Sequence, residues 1–487
     1  MNREQTHRIA TAAILFLFTC MTVFAQQNTT GASARSVHDE HARLRVGALT
    51  SEGTGHAKAR TTGRSTTHVV HGYHPYWISD DAASRYRYEL LTHLAYFSCE
   101  IDPATGRATN TRGWLTSAVP AMAQAAGCKV LLTVTNFGDA ANSALLGNAV
   151  ARDTLCATIV DLLQRRDADG VNIDFESIPG NQRDNFTAFL AQLRASLAAW
   201  KADAVISVAA PAVDWSGSWD VQAIARHIDF FFIMGYDYSW SASGNAGPVA
   251  PLRSFAYNVT RSVDWYLDQG APASTLLLGV PYYGYDWPVV DSAPGSAATG
   301  RASARTYTAM RGLLATNTAQ WSEQYLVPWM TYQSSGWRQI WYDDERSLSH
   351  KCAFVLDRKL AGMGMWALGY DDGYGELWLE IERAFTLPTA NDALPRDIHA
   401  AVWPQPARPG ATVQWRGSTA SEGMARMHDV LGRMVASVEL RGGSDGVLRF
   451  TAPTLPPGLY VLRVEGMLSR NATTAAAIET IMVRMAE

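Results

Sequence analysis

The residues best equipped for chemistry lie in one short run, Asp169-Gly170-Val171-Asn172-Ile173-Asp174-Phe175-Glu176. Apolar Val171, Ile173 and Phe175 alternate strictly with polar Asn172, Asp174 and Glu176. Successive side chains of a β-strand point to opposite faces, so this run predicts a strand with one oily face. Its other face carries a carboxamide and two carboxyls. Two carboxyls held close together oppose each other's ionisation, and a carboxyl that keeps its proton can serve as a general acid. Burying such a row is costly, which favours chemistry over mere packing.

The elements that would position this row follow from the rest of the sequence. Strand-like apolar runs occur at 69–72, 91–97, 129–136, 170–176, 204–210, 230–236, 276–281 and 364–368. Helix-like spacing separates them, as at 154–165 and 185–200. Eight strands alternating with helices predict an α/β fold of the (β/α)8 TIM-barrel type, spanning 68–387. In a barrel the oily face of 170–176 packs outward on helices. Asn172, Asp174 and Glu176 then point inward, near the strand's C-terminal end, where barrel enzymes place their chemistry. The long gap at 284–360 predicts an insertion before strand eight.

Outside the barrel the texture differs. Arg3, His7 and Arg8 precede an apolar stretch ending in Val23-Phe24-Ala25, so 1–25 reads as a secretory signal. Residues 26–67, rich in Ser, Thr, Gly and Arg, read as a linker. Residues 388–399 read as a second linker, and 400–487 as a small β-sandwich with short strands between Gly, Pro and Asp turns. The chain is therefore expected outside the cytoplasm, secreted or at the cell surface.

With 41 Lys+Arg against 45 Asp+Glu, the formal charge of -4 gives no electrostatic reason to bind nucleic acid. The 16 Trp, 19 Tyr and 15 Phe can build cores and also line a cleft that stacks on sugar rings. Cys99, Cys128, Cys156 and Cys352 are too widely spaced for a zinc site; an oxidising compartment permits disulfides between them, but mostly buried free thiols are expected. His68, His71 and His74 cannot form one ligand set, because a strand sends His71 to the opposite face. No metal and no cofactor are expected.

The run from Asp169 to Glu176 resembles the Asp-Gly-x-Asp-x-Asp-x-Glu signature of glycoside hydrolase family 18, the chitinase-like barrels. Met234-Gly235-Tyr236-Asp237 is similar to that family's sixth strand, Leu278 to Gly284 to its seventh, and Gly364-Met365-Trp366-Ala367-Leu368 to its eighth. The resemblance covers about 68–386. Two features depart from the chitinases: Asn172 replaces the first Asp of the triplet, and strand three reads Leu132-Thr133-Val134-Thr135-Asn136-Phe137. Both resemble the branch of peptidoglycan and spore-cortex N-acetylglucosaminidases, and chitobiase-like enzymes share the Asn.

The resemblance implies substrate-assisted, retaining hydrolysis of β-1,4 bonds in N-acetylglucosamine polymers, chitin-like or peptidoglycan. It makes Glu176 the acid, Asp174 the partner of the acetamido group, Tyr236 a donor to it, and Asn172 a hydrogen-bonding guide for Asp174. Asp237, Trp366, Met234 and Tyr282 are expected to bind substrate, with Trp366 as floor; Trp77 and Trp287, with Trp215 and Trp240, are weaker candidates near predicted strand ends. A chitinase-like lectin that binds without cleaving is the alternative, disfavoured by retention of both Asp174 and Glu176.

Near the chain end, Trp403-Pro404-Gln405-Pro406, Asp429 to Arg433 and Leu455 to Val461 together resemble the C-terminal sorting domain of type IX secretion. A generic sandwich or carbohydrate-binding module is the competing reading. The expected partners are thus an N-acetylglucosamine polysaccharide and a secretion machinery, with no nucleic acid, for a monomeric protein.

Overall fold

The computed structural model describes residues 38, 41, 42, 66–386 except 373, and, in the C-terminal part, the seven strands with Leu455 and Pro456. The expected signal, 1–25, the second linker, 388–399, and most of the first linker lie outside the described residues. The chain divides into two compact units, Met1–Leu387 and Pro388–Glu487.

The first unit is a closed (β/α)8 barrel. Its strands are β1 (Val69–Pro75), β2 (His93–Ile101), β3 (Lys129–Phe137), β4 (Gly170–Glu176), β5 (Val205–Ala210), β6 (Phe230–Ile233), β7 (Leu276–Pro281) and β8 (Gly362–Trp366). Each pairs in parallel with its neighbours, and β1 bonds to both β2 and β8, which closes the ring. At that seam only glycine fits: a Cβ on Gly364 would lie 2.2 Å from the His71 carbonyl oxygen. Strand β6 is shorter than its apolar run predicts. After Ile233 the chain coils, with Gly235 N–H donating to the Ile233 carbonyl at 2.7 Å and Tyr236 N–H to the Met234 carbonyl at 2.8 Å.

Strand β4 is clamped from outside by two helices, α1 (Ala149–Gln164) and α2 (Arg183–Trp200). Helix α1 starts where Asn148 accepts hydrogen bonds from the Val150 and Ala151 amides. Helix α2 buries Phe186, Phe189, Leu190, Leu193 and Leu197, a stripe at three- and four-residue spacing. Phe175, from the outer face of β4, stacks on Phe189 with centroids 5.5 Å apart. Each such phenylalanine stabilises the unit by roughly 1.5–3 kcal/mol through burial alone. Thus the oily half of the alternating run anchors the polar half.

The insertion between β7 and β8 contains a five-stranded antiparallel sheet. Its order is Ser303–Thr306, Tyr283–Val289, Trp337–Trp341, Val327–Gln333, Gln320–Ser322. In the C-terminal unit the described residues form seven strands, between Ala401 and Met485, that bond as one antiparallel series. Cys99, Cys128, Cys156 and Cys352 are free and buried. Among the described residues, no helix is long and apolar enough to cross a membrane.

Candidate active site

Strand β4 turns its polar face inward, as its alternation requires. Asn172 and Asp174 are buried, and Glu176, the last residue, is partly open to a cavity of about 650 Å³. Immediately after it Ser177 adopts a left-handed backbone, φ 59°, which ends the strand sharply at the barrel mouth. Asp237, after β6, has the same φ of 59°. Two strained non-glycine residues flanking one cavity are typical of a site held to a set geometry.

Burial pushes the Asp174 carboxyl well above its usual range; the nearby Glu176 charge pushes the same way, and the His38 imidazole opposes both. Asp174 Oδ1 is buried and accepts no hydrogen bond among the described residues. A carboxyl so placed resists ionisation and can share a proton with its neighbour.

Trp366, Tyr236, Asp237 and Met234 line the same cavity. Trp366 ends β8 and lies across the barrel axis, with Tyr73 at 5.5 Å, Phe97 at 4.9 Å and Trp77 at 6.2 Å between ring centroids. Trp77 therefore supports the floor edge-on and does not itself line the cavity. Trp215 and Trp240 do line it and are exposed, and Trp215 meets Tyr257 edge-to-face at 4.8 Å. Together they give the cavity an aromatic rim.

Three expectations need correction. Asn172 does not guide Asp174. Its Oδ1 accepts from the Tyr73 hydroxyl at 3.1 Å and its Nδ2 donates to Ser207 Oγ at 2.7 Å, tying β4 to β1 and β5. Tyr282 is not at the cavity: it is buried against Trp378 of the outer helical layer, 6.3 Å between rings. The next residue, Tyr283, is also buried and donates its hydroxyl to Oδ1 of Asp237, which does line the cavity. Trp287 is fully buried in the inserted sheet, where it packs against Tyr285 at 5.6 Å.

Sequence reasoning missed two residues outright. His38 and His41, in the stretch read as a linker, are buried in the barrel mouth. His38 Nε2 donates to Glu176 Oε1 at 2.8 Å and lies 3.7 Å from Asp174 Oδ2. His38, Asp174 and Glu176 each offer a donor atom within 4.8 Å of the others, a grouping compatible with a cation. Yet ligands of one zinc ion lie about 3.3 Å apart at metal–ligand lengths of about 2.0 Å, so the 2.8 Å contact is a direct hydrogen bond. The only foresight the sequence offered was two histidines three residues apart, a spacing that shares one face of a helical turn.

Comparison with known proteins agrees with this geometry. Residues 69–371 match the family model described as glycosyl hydrolases family 18. A Bacillus subtilis protein named as a sporulation-specific glycosylase, YdhD, is 32% identical over 271 residues, 53% of this chain and 61% of that one. Mouse chitotriosidase-1 is 28% identical over 281 residues, 51% of this chain and 59% of that one. The chain thus spans about three fifths of the length of these curated relatives. A family 18 chitinase of Cycas revoluta, crystallised with (GlcNAc)4, superimposes with a TM-score of 0.61 at 20% identity, covering 65% of this chain and 99% of that one. At that identity the likeness speaks for the fold.

Proposed function

This chain belongs to glycosyl hydrolase family 18, a glycosidase family, and on that premise we propose that it cleaves β-1,4 bonds of N-acetylglucosamine polymers with help from the substrate's own acetamido group. The observation that carries the reading is the convergence of Glu176, Tyr236, Asp237 and Trp366 on one cavity, with Asp174 buried beside Glu176 on the same face of β4. Glu176 gives its proton to the glycosidic oxygen as the bond to the anomeric carbon breaks. The acetamido carbonyl oxygen attacks that carbon from the other side, forming an oxazolinium ion. Asp174 accepts the acetamido N–H and offsets the new positive charge. Water then adds to the anomeric carbon, its proton passing to Glu176, which restores the acid.

The buried environment of Asp174 supports this division of labour. A carboxyl that resists ionisation when alone gains most from a substrate N–H and a cationic intermediate beside it. Tyr236, buried at the cavity wall, donates to the acetamido oxygen in this reading, and the Tyr283–Asp237 hydrogen bond holds the neighbouring wall. Asn172 supports the site through Tyr73 and Ser207. Asn172 and the strand-three sequence favour peptidoglycan or short chitooligosaccharides over crystalline chitin.

We also propose export, from the basic-then-apolar start of 1–25, and a sorting role for 400–487, from its resemblance to type IX sorting domains. The test of the enzymatic reading is product formation from chitooligosaccharides and from peptidoglycan by the protein and by Glu176→Gln. Hydrolysis of at least one by the protein, lost in the variant, is expected. Equal product from both would remove the proposed acid.

A further inference from the structure

His38 and His41 sit buried in the barrel mouth. The Ala42 amide donates to the His38 carbonyl at 2.8 Å, which makes the segment one helical turn. His38 and His41, three residues apart, therefore point the same way. His38 fills the space between the catalytic-side carboxyls and the aromatic floor. Its ring lies 4.6 Å from Trp366, 4.8 Å from Phe97 and 5.1 Å from Phe137, centroid to centroid. Its Nε2 occupies Glu176 Oε1, the atom that would face a glycosidic oxygen.

His41 takes the edge of the floor tryptophan. Trp366 Nε1–H donates to His41 Nδ1 at 2.9 Å, and the imidazole meets the Tyr283 ring edge-on at 4.4 Å. Burial, together with the neighbouring His38, drives the His41 pKa down to about 3, so the ring is neutral and its Nδ1 is free to accept. A pyranose stacked on Trp366 would need the volume that the His38 ring holds, and His41 occupies the indole N–H at its edge. The rest of the cavity, rimmed by Trp215, Trp240 and Tyr257, stays open.

We propose that the turn carrying His38 and His41 is a built-in competitive plug that masks the sugar position over Trp366 and keeps the full chain in a low-affinity state until substrate or removal of the segment displaces it. The inference rests on reading this cavity as a sugar site. The plug is poised for release, because His41 Nε2 is buried with no hydrogen-bond partner among the described residues, an expense that a departing turn recovers. Competition within one chain raises the apparent KM by the inverse of the open fraction and leaves the turnover of bound substrate intact.

The test compares the full chain with its His38→Ala, His41→Ala double variant, for hydrolysis of a soluble chitooligosaccharide and, in a Glu176→Gln background, for its binding by calorimetry. The expected result is a fall in KM of about tenfold or more with little change in kcat, and an equal tightening of binding. Tighter binding by the double variant without hydrolysis by either form keeps the plug and rejects the enzymatic reading. Hydrolysis with the same KM in both forms keeps the enzymatic reading and rejects the plug. Binding that is equal in both forms, or absent from both, also rejects it.

Discussion

Two buried aspartates in this barrel unit meet opposite fates. Asp286, in the inserted sheet, is completely enclosed, yet each of its carboxylate oxygens is satisfied. Arg338 donates to Oδ1 at 2.8 Å, while Tyr332 at 2.9 Å and Arg305 at 3.1 Å donate to Oδ2. Asp174, almost as enclosed, has among the described residues no arginine partner and one oxygen without a hydrogen bond, with the His38 imidazole at 3.7 Å and the Glu176 carboxyl as its charged neighbours. The first arrangement neutralises a charge so that a fold can keep it. The second leaves a charge poorly compensated, a state worth maintaining only where a substrate completes it.

Breaking the functional carboxyl pair should show the largest effect. Glu176→Gln should cut turnover of chitooligosaccharides by about 10²–10⁴-fold, read from kcat, with the thermal midpoint nearly unchanged. Breaking the structural network should do the reverse. Asp286→Ala leaves two guanidinium groups facing each other and should cost about 3–5 kcal/mol by denaturant titration. Asp174→Asn sharpens the contrast. Its carboxyl carries a raised pKa in the folded state, so its charge opposes folding above the ordinary carboxylate range. Removing that charge should raise stability at neutral pH by about 0.5–2 kcal/mol while activity is lost.

A smaller effect concerns pH. Burial alone would lower the His38 pKa, but the Glu176 hydrogen bond and the charges of Glu176, Asp174 and Asp237 outweigh it and hold it above the ordinary value; His41 beside it is neutral. A raised histidine pKa contributes fully below its unfolded value and is lost as pH rises through the folded one. The KM ratio between the full chain and its His38→Ala variant should therefore shrink toward one as pH is raised above neutrality. The smallest effect is expected for Tyr282→Phe, whose hydroxyl has no hydrogen-bond partner among the described residues: kcat and KM should stay unchanged.

The strict alternation from Asn172 to Glu176 was readable because a strand's two-residue period fixes which side chains face the barrel axis, whatever surrounds it. Trp366 and Tyr236 were readable from resemblance. Tyr282 and Trp287 were not, because β7 ends at Pro281 and the chain leaves the barrel for a sheet whose faces no local pattern specifies. The partners of Asn172 were hidden for a different reason: Tyr73 and Ser207 lie on other strands and reach it only when the ring closes. His38 was the hardest. Nothing about a polar segment rich in small residues reveals that one of its turns fits between a carboxyl and a tryptophan.

The stereochemistry of the first product tests acetamido-assisted hydrolysis most directly. Proton NMR of (GlcNAc)4 hydrolysis, recorded before mutarotation, should show the new reducing end appearing as the β-anomer, because acetamido attack followed by water attack inverts the anomeric carbon twice. Initial release of the α-anomer would mean direct displacement by water, and would contradict the roles given to Asp174 and Glu176.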